Sequence, residues 1–257
     1  MTFPRSDLSV KTDGHVATIC IKRPPHNYFD TDLVGALADA FELLAQGDGC
    51  RAVVLASEGR HFCAGADFRK GARRPSYDKE VHTYDMAQRL FDQPLPVVAA
   101  VQGGAIGGGL GLALVADFRV GAQTAWFSAN FASLGFHHGF ALTETLPAVV
   151  GTQKASELLF TGRRVQAAEA HALGLLDRVS GAADPYEDAF AFASEIASSG
   201  PLAVRAIRAT MRQGLSERVR AAMQHEKKQQ RLLASTEDWT EGVRAAAERR
   251  TPQFVGR

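Results

Sequence analysis

The apolar positions first alternate, then recur at helical spacing, then run together, and each change marks an element. His15 to Ile21 is rich in β-branched residues and partly alternates. Leu8 to Val10 precede it across the turn dipeptide Asp13-Gly14, so the pattern predicts two strands joined by a tight turn. Arg23-Pro24-Pro25 stops regular structure. Leu33, Leu37, Phe41 and Leu44 then recur on one helix face, with Asp30 or Thr31 placed to cap it and Gly47-Asp48-Gly49 to end it. Ala52 to Ala56 is a continuous apolar run, a buried strand. Strand, helix and strand of these lengths suit a right-handed crossover.

Two loops of small residues stand out beyond this point. The first, Ser57 to Phe68, follows a strand and contains Cys63-Ala64-Gly65-Ala66-Asp67. The second follows the apolar strand Val97 to Val101 and has six glycines between 103 and 111. After it, Leu110 and Leu112 to Ala116 read as a short helix ended by Asp117. A glycine loop lets a ligand touch the backbone, and the first amides of a helix have no internal partner. An amide near Gly108 therefore suits an oxygen that becomes an anion. Such an oxygen is generally held by two donors from separate places, and the 63–67 loop offers the second.

Other readings of the glycine stretch fit less well. Gln93 to Ala116 carries no charge and is long enough to span a membrane. Six glycines and Gln102 suit a buried turn better, and the chain has no second segment of this kind. Gly107-x-Gly109 is followed by Leu112 where a dinucleotide fingerprint needs its third glycine, and no Gly-Lys-Ser/Thr marks a nucleotide loop. Close packing of a helix on a strand is the remaining structural explanation.

Composition narrows the class. The chain has 257 residues, enough for one large α/β domain with an appendage, and its 46% apolar content is ample for a core. A formal charge of +1 gives no reason to expect nucleic acid or an anionic membrane as partner. The start lacks the apolar region of a signal peptide. Cys20, Cys50 and Cys63 form no CxxC and read as reduced thiols, so a cytoplasmic location is expected.

With both loops in view, the sequence resembles the enoyl-CoA hydratase/isomerase superfamily, the crotonase fold. The resemblance rests on His61-Phe-Cys-Ala-Gly-Ala-Asp-Phe68, Pro96 to Gly103, Ala105-Ile-Gly-Gly-Gly109 and Ala116-Asp117. It continues through Leu159-Phe-Thr-Gly162, Ala167-Ala-Glu-Ala170 with Gly174-Leu175, Glu241-Gly242 and Pro252-x-Phe254-x-Gly256, covering essentially the whole chain. It implies an α/β fold: a crotonase-type spiral of β-β-α turns over residues 1–198 and a C-terminal helical trimerisation region over 199–257, with Ser198-Ser-Gly-Pro201 as hinge. It implies an acyl-CoA substrate whose thioester oxygen lies between the amides of Ala66 and Gly108, stabilising an enolate. Coenzyme A is then part of the substrate, and no separate cofactor or metal is expected. Ala64, Asp67, Phe68, Ile106, Phe131 and Pro25 are the implied substrate-binding positions. Leu232, Leu233, Trp239 and Val243 would pack a homotrimer or a dimer of trimers.

The resemblance fails at the acid/base positions. Hydratases of the family carry two glutamates, and here Gly111 and Phe131 stand at those places, so that mechanism cannot operate with this pair. A nucleophilic aspartate, as in the dehalogenase branch, would align with Gly139. His137 and His138 are the unusual residues of this loop and the leading acid/base candidates. Glu144 is the nearest later carboxylate, with a solvated or capping role as the plainer reading. Tyr77, His82, Tyr84 and Asp85 follow the first loop in a region that overlies the acyl pocket in this family. Arg69, Lys70, Arg73 and Arg74, and Arg249 and Arg250 in the tail, are candidates for CoA phosphates. Ala129-Asn130-Phe131, Gly135-Phe136 and Gly139 resemble the loop of crotonase-fold decarboxylases acting on carrier-bound thioesters. Three readings follow: a hydratase-like lyase or isomerase, a decarboxylase or isomerase using His138 or His137, and a non-catalytic CoA-ester-binding subunit. Phe131, Phe136 and Phe140 suggest an apolar acyl pocket or ordinary core.

Overall fold

A computed structural model describes residues 5–47, 49–67 and 82–257. Strands β1 (Leu8–Asp13) and β2 (Val16–Ile21) form the expected antiparallel hairpin, and the register runs from Leu8 opposite Ile21 to Asp13 opposite Val16. Helix α1 (Thr31–Gln46) is capped by Asp30, whose carboxylate accepts from the Leu33 amide at 2.9 Å. Its stripe of Leu33, Leu37 and Phe41 is buried, each side chain contributing about 1.5–3 kcal/mol. Strand β3 (Ala52–Ser57) then pairs parallel to β2, so this unit is the strand–helix–strand crossover that the pattern predicts.

Helix α2 (Thr83–Asp92) leads into β4 (Val97–Val101), every residue of which is buried. Val97, Ala99 and Val101 face one core, while Val98 and Ala100 face the other, because successive strand residues point to opposite sides. The glycine stretch is more ordered than a turn. Gly104–Ile106 forms a short strand, β5, and α3 spans Gly108–Ala113, starting and ending earlier than the apolar run Leu110 to Ala116 suggests. Asp117 does more than end that helix. Its carboxylate accepts from the Val97 amide at 2.9 Å and pairs with Arg208 and Arg212 at 2.8 and 2.9 Å.

β6 (Phe118–Ala122) and β7 (Trp126–Ser128) repeat the same move, one strand into each sheet. After a 3₁₀ turn at Ala132–Leu134 come α4 (Leu142–Val150), α5 (Thr152–Thr161), β8 (Val165–Gln166), α6 (Ala167–Ala172) and β9 (Arg178–Ser180). The larger sheet is ordered β1-β2-β3-β4-β6-β9 and the smaller β5-β7-β8. One face of the larger sheet is covered by α7 (Tyr186–Ala197) through Ala189, Ala193 and Ala197. Among the described residues no helix is long and apolar enough to cross a membrane.

The chain ends in α8 (Pro201–Met211), α9 (Leu215–Leu233) and α10 (Glu237–Glu248). Arg208 and Arg212 tie α8 to Asp117. Val219 and Met223 of α9 and Trp239 of α10 join the main core. Trp239 therefore does not face a neighbouring subunit as the resemblance implies. It is 1% exposed and packs on Phe136, ring centroids 4.2 Å apart. Leu233 and Val243 also pack against this core, while Leu232 is exposed.

Candidate active site

Backbone contacts bring the two small-residue loops together. Ile106 donates its amide to the Cys63 carbonyl at 2.9 Å, Cys63 donates to Gly104 at 3.2 Å, and Phe29 donates to Gly65 at 2.9 Å. Gly65 has φ +78°, and a Cβ there would lie 3.0 Å from the Ile106 carbonyl and 3.3 Å from the Gly108 amide nitrogen. Only glycine fits both that conformation and that approach. Among the described residues, neither the Ala66 nor the Gly108 amide is taken by a backbone acceptor. The Cys63 thiol is buried and donates to the Asn27 carbonyl at 3.1 Å, and that burial pushes its pKa up to about 12, which keeps it protonated and non-nucleophilic.

Ala66 and Gly108 line one cavity of about 150 Å³. Ala64 and Gly65 share its wall with Phe29, Gly107, Asn130 and Phe131. The remaining lining comes from His82, Thr83 and Tyr84 of the α2 end, from Leu134, Phe136 and Phe140, and from Gln230 of α9. Two backbone donors at the rim of an apolar cavity can hold an oxygen that acquires negative charge. Tyr84 donates its hydroxyl to the Gln230 side-chain oxygen at 2.9 Å, and Gln230 donates to the His137 carbonyl at 3.0 Å. His82 caps α2, its Nδ1 accepting from the Tyr84 amide at 3.1 Å. Burial pushes the His82 pKa down to about 4. The ring is then neutral near pH 7, with its proton on Nε2.

The two glutamate positions are closed. A Cβ at Gly111 would lie 2.6 Å from the Phe140 Cβ and 2.7 Å from its carbonyl oxygen, so no longer side chain fits. Phe131 occupies the second position, lining the cavity and nearly buried. At Gly139, which carries no nucleophile, a Cβ would meet the Tyr84 hydroxyl at 1.8 Å and the Gln230 amide nitrogen at 2.5 Å, so the space of a side chain is taken by those two groups.

His137 and His138 correct an expectation, because neither lines the cavity. Their rings stack at 4.1 Å, with His137 6.1 Å from the His225 ring and His138 Nε2 4.0 Å from Glu226 of α9. His138 Nε2 is 2.9 Å from the Thr143 hydroxyl, and burial brings its pKa down to about 4. His137 Nδ1 is satisfied by the His138 carbonyl at 2.8 Å. Glu144 makes a surface ion pair with Arg218 at 3.3 Å, as the plainer reading expects. Arg250 is held by Glu241 within its own chain. Ile106 contributes backbone stitching, Pro25 is exposed and accepts from the His61 amide, and neither they nor Asp67 line the cavity. Phe68, Arg69, Lys70, Arg73, Arg74 and Tyr77 lie outside the described residues. Sequence reasoning missed Phe29 and Gln230 as cavity residues. Gln230 had one detectable signal, a polar residue continuing the buried stripe Val219, Ala222, Met223 of α9.

Comparisons with known proteins agree with this architecture. The family model described as enoyl-CoA hydratase/isomerase matches residues 11–257. A carnitinyl-CoA dehydratase of Proteus mirabilis is 33% identical, over 97% of this chain and 98% of its own. The mitochondrial enoyl-CoA hydratase domain-containing protein 2 of Mus musculus is 32% identical, over 94% of this chain and 85% of its own. The crystal structure of an enoyl-CoA hydratase/isomerase from Pseudoalteromonas atlantica T6c superposes with a TM-score of 0.88 at 30% identity, covering 97% of this chain and 100% of that one. The chain belongs to the enoyl-CoA hydratase/isomerase family.

Proposed function

We propose that the protein is an acyl-CoA lyase or isomerase that works through a thioester enolate, its oxygen held by the amides of Ala66 and Gly108. The observation that carries this reading is the pair of amides, free of backbone acceptors, at one apolar cavity. Each such donor is worth roughly 3 kcal/mol to a developing oxyanion. Enoyl-CoA hydration is the nominal family activity, but no carboxylate pair is available for it at Gly111 and Phe131. Coenzyme A enters with the substrate, and the chemistry needs no further cofactor. We place the protein in the cytoplasm as a trimer or dimer of trimers, with Leu202, Ile207 and Met211 of α8 as exposed apolar contacts.

Decarboxylation is a second reading, favoured by one feature of the lining. Among the described residues the cavity wall has neither a carboxylate nor a lysine, and its titratable groups are His82 and Tyr84. His82, neutral and with Nδ1 engaged by an amide, is a donor rather than a base. Loss of CO₂ needs no base. The C–C bond electrons pass to Cα and the thioester oxygen as an enolate, CO₂ leaves, and Cα takes a proton from solvent water, which departs as hydroxide.

The test is turnover of crotonyl-CoA, followed as loss of enoyl-thioester absorbance, beside an acyl-CoA panel with mass detection. The reading expects no robust hydration, with Cα proton exchange or loss of CO₂ from a thioester of a dicarboxylic acid. Robust crotonyl-CoA hydration would keep the enolate site and mean that a group other than those at Gly111 and Phe131 positions the water, whereas a protein that neither binds nor turns over any acyl-CoA would overturn the reading. Tight binding with no turnover across the panel would assign the protein as a non-catalytic CoA-ester-binding subunit.

A further inference from the structure

Glu226 is fully buried on α9 and takes no part in the chemistry above. Its carboxylate accepts from the Ala141 amide at 2.9 Å, the Thr143 amide at 3.0 Å and the Thr143 hydroxyl at 2.7 Å. One turn further along α9, Gln230 donates to the His137 carbonyl and receives the Tyr84 hydroxyl. The helix therefore grips the 137–143 segment near both ends. Between the grips the backbone is strained. Phe140 and Ala141 have φ of +60° and +62°, a left-handed pair without glycine that L-residues avoid. Such a conformation persists only where its surroundings fix it.

That strained pair determines where Phe140 goes. Its ring lies 5.2 Å from that of Phe29 and 6.4 Å from that of Tyr84, and its Cδ2 is 3.7 Å from where a Cβ at Gly108 would be. Phe140 is thus part of the cavity wall beside the proposed thioester site, and its segment is held by hydrogen bonds from buried Glu226 and from Gln230, which also lines the cavity. The cavity of about 150 Å³ matches one that takes a benzene-sized guest, about six carbons.

We infer that Glu226 and Gln230 are positioning residues for substrate size: by clamping the 137–143 segment they seat Phe140 so that the cavity takes a compact apolar acyl group of about six carbons. This rests on the acyl-thioester reading and specifies its substrate class. The C-terminal helix, far from the two small-residue loops in sequence, then sets what those loops receive.

Saturated acyl-CoAs have no double bond to hydrate or shift and no carboxylate to lose, so their affinities report size selection alone. Butanoyl-, hexanoyl- and dodecanoyl-CoA would be titrated calorimetrically into the unmodified protein and into Phe140→Ala, Glu226→Gln and Gln230→Met, each checked for a cooperative melt. The unmodified protein should bind hexanoyl-CoA about tenfold more tightly than dodecanoyl-CoA. Phe140→Ala and Glu226→Gln should shift that ratio toward dodecanoyl-CoA by about tenfold, and Gln230→Met by less. Glu144→Gln, on the exposed Arg218 pair, should leave it unchanged. If Glu226→Gln does not fold, Phe140→Ala and Gln230→Met carry the test. Equal hexanoyl and dodecanoyl affinities in the unmodified protein, or variants that fold and keep its ratio, would overturn the clamp while the acyl-thioester reading stands. If the unmodified protein binds none of the three, both fall.

Discussion

The loop from His61 to Ala66 and the segment from His137 to Thr143 border the same cavity and are held in different ways. The first is fixed by backbone hydrogen bonds to β5 and Phe29, with glycine where strands and loops approach most closely. The second is fixed by two side chains of α9, with ordinary residues forced into left-handed backbone. A wall built from main chain leaves a motif in the sequence, because only small residues permit it. One built from distant side chains leaves none. The first wall holds the small-residue motif that resembles the family's, and the second presses Phe140 against Gly111, one of the two positions where the family's hydratases carry a glutamate.

The largest effect should come from breaking the first wall. Gly108→Pro removes one amide, and its ring would press on Phe29, whose Cζ lies 2.5 Å from the Cβ position, so the change is made together with Phe29→Ala. Relative to Phe29→Ala alone, kcat should fall about 100- to 1000-fold on the best thioester of the panel. Restoring a carboxylate at Gly111, against the second wall, should fail: Gly111→Glu drives a side chain into Phe140 and should cost about 3 kcal/mol in denaturant unfolding with no gain of hydration. Glu226→Ala strands the buried Ala141 amide and releases Thr143, and should cost about 1–3 kcal/mol, read from the same unfolding curves.

Acid should act through two buried histidines, one capping α2 and one in the second wall. His82 and His138 titrate near 4 in the fold against an ordinary value of 6.5, because burial disfavours their charged forms. Between those values the unfolded chain binds more protons than the folded one. Their contribution to stability is therefore complete above pH 6.5 and lost as pH falls toward 4, which melting temperatures across that range would show. The smallest effect is expected at Glu144→Ala, whose exposed pair with Arg218 is worth less than about 0.5 kcal/mol, with turnover unchanged.

Much of the fold was legible before any coordinates. The β1–β2 hairpin, the capped α1, the buried β3 and β4 and the meeting of the two small-residue loops follow from alternation, helical spacing and glycine placement. Strand β5 was not legible, since glycine-rich sequence reads as turn until Trp126 and His61 are seen packed against Gly104. At the site, Ala64, Ala66, Gly108 and Phe131 were readable because loop backbone and motif coincide. His137 and His138 were misplaced for the converse reason: sequence names a loop but not the side it shows to the cavity. Trp239 and Gln230 depend on how the tail folds back, which sequence spacing does not encode.

The most direct measurement is the infrared stretch of a ¹³C-labelled thioester carbonyl in hexanoyl-CoA bound to the protein. Two amides donating to that oxygen should polarise the bond and shift the stretch to lower frequency than in water, with the shift shrinking in Gly108→Pro/Phe29→Ala relative to Phe29→Ala. A bound thioester whose carbonyl stretch matches that in water would contradict the account, because the Ala66 and Gly108 amides would then not be holding the oxygen on which the proposed chemistry depends.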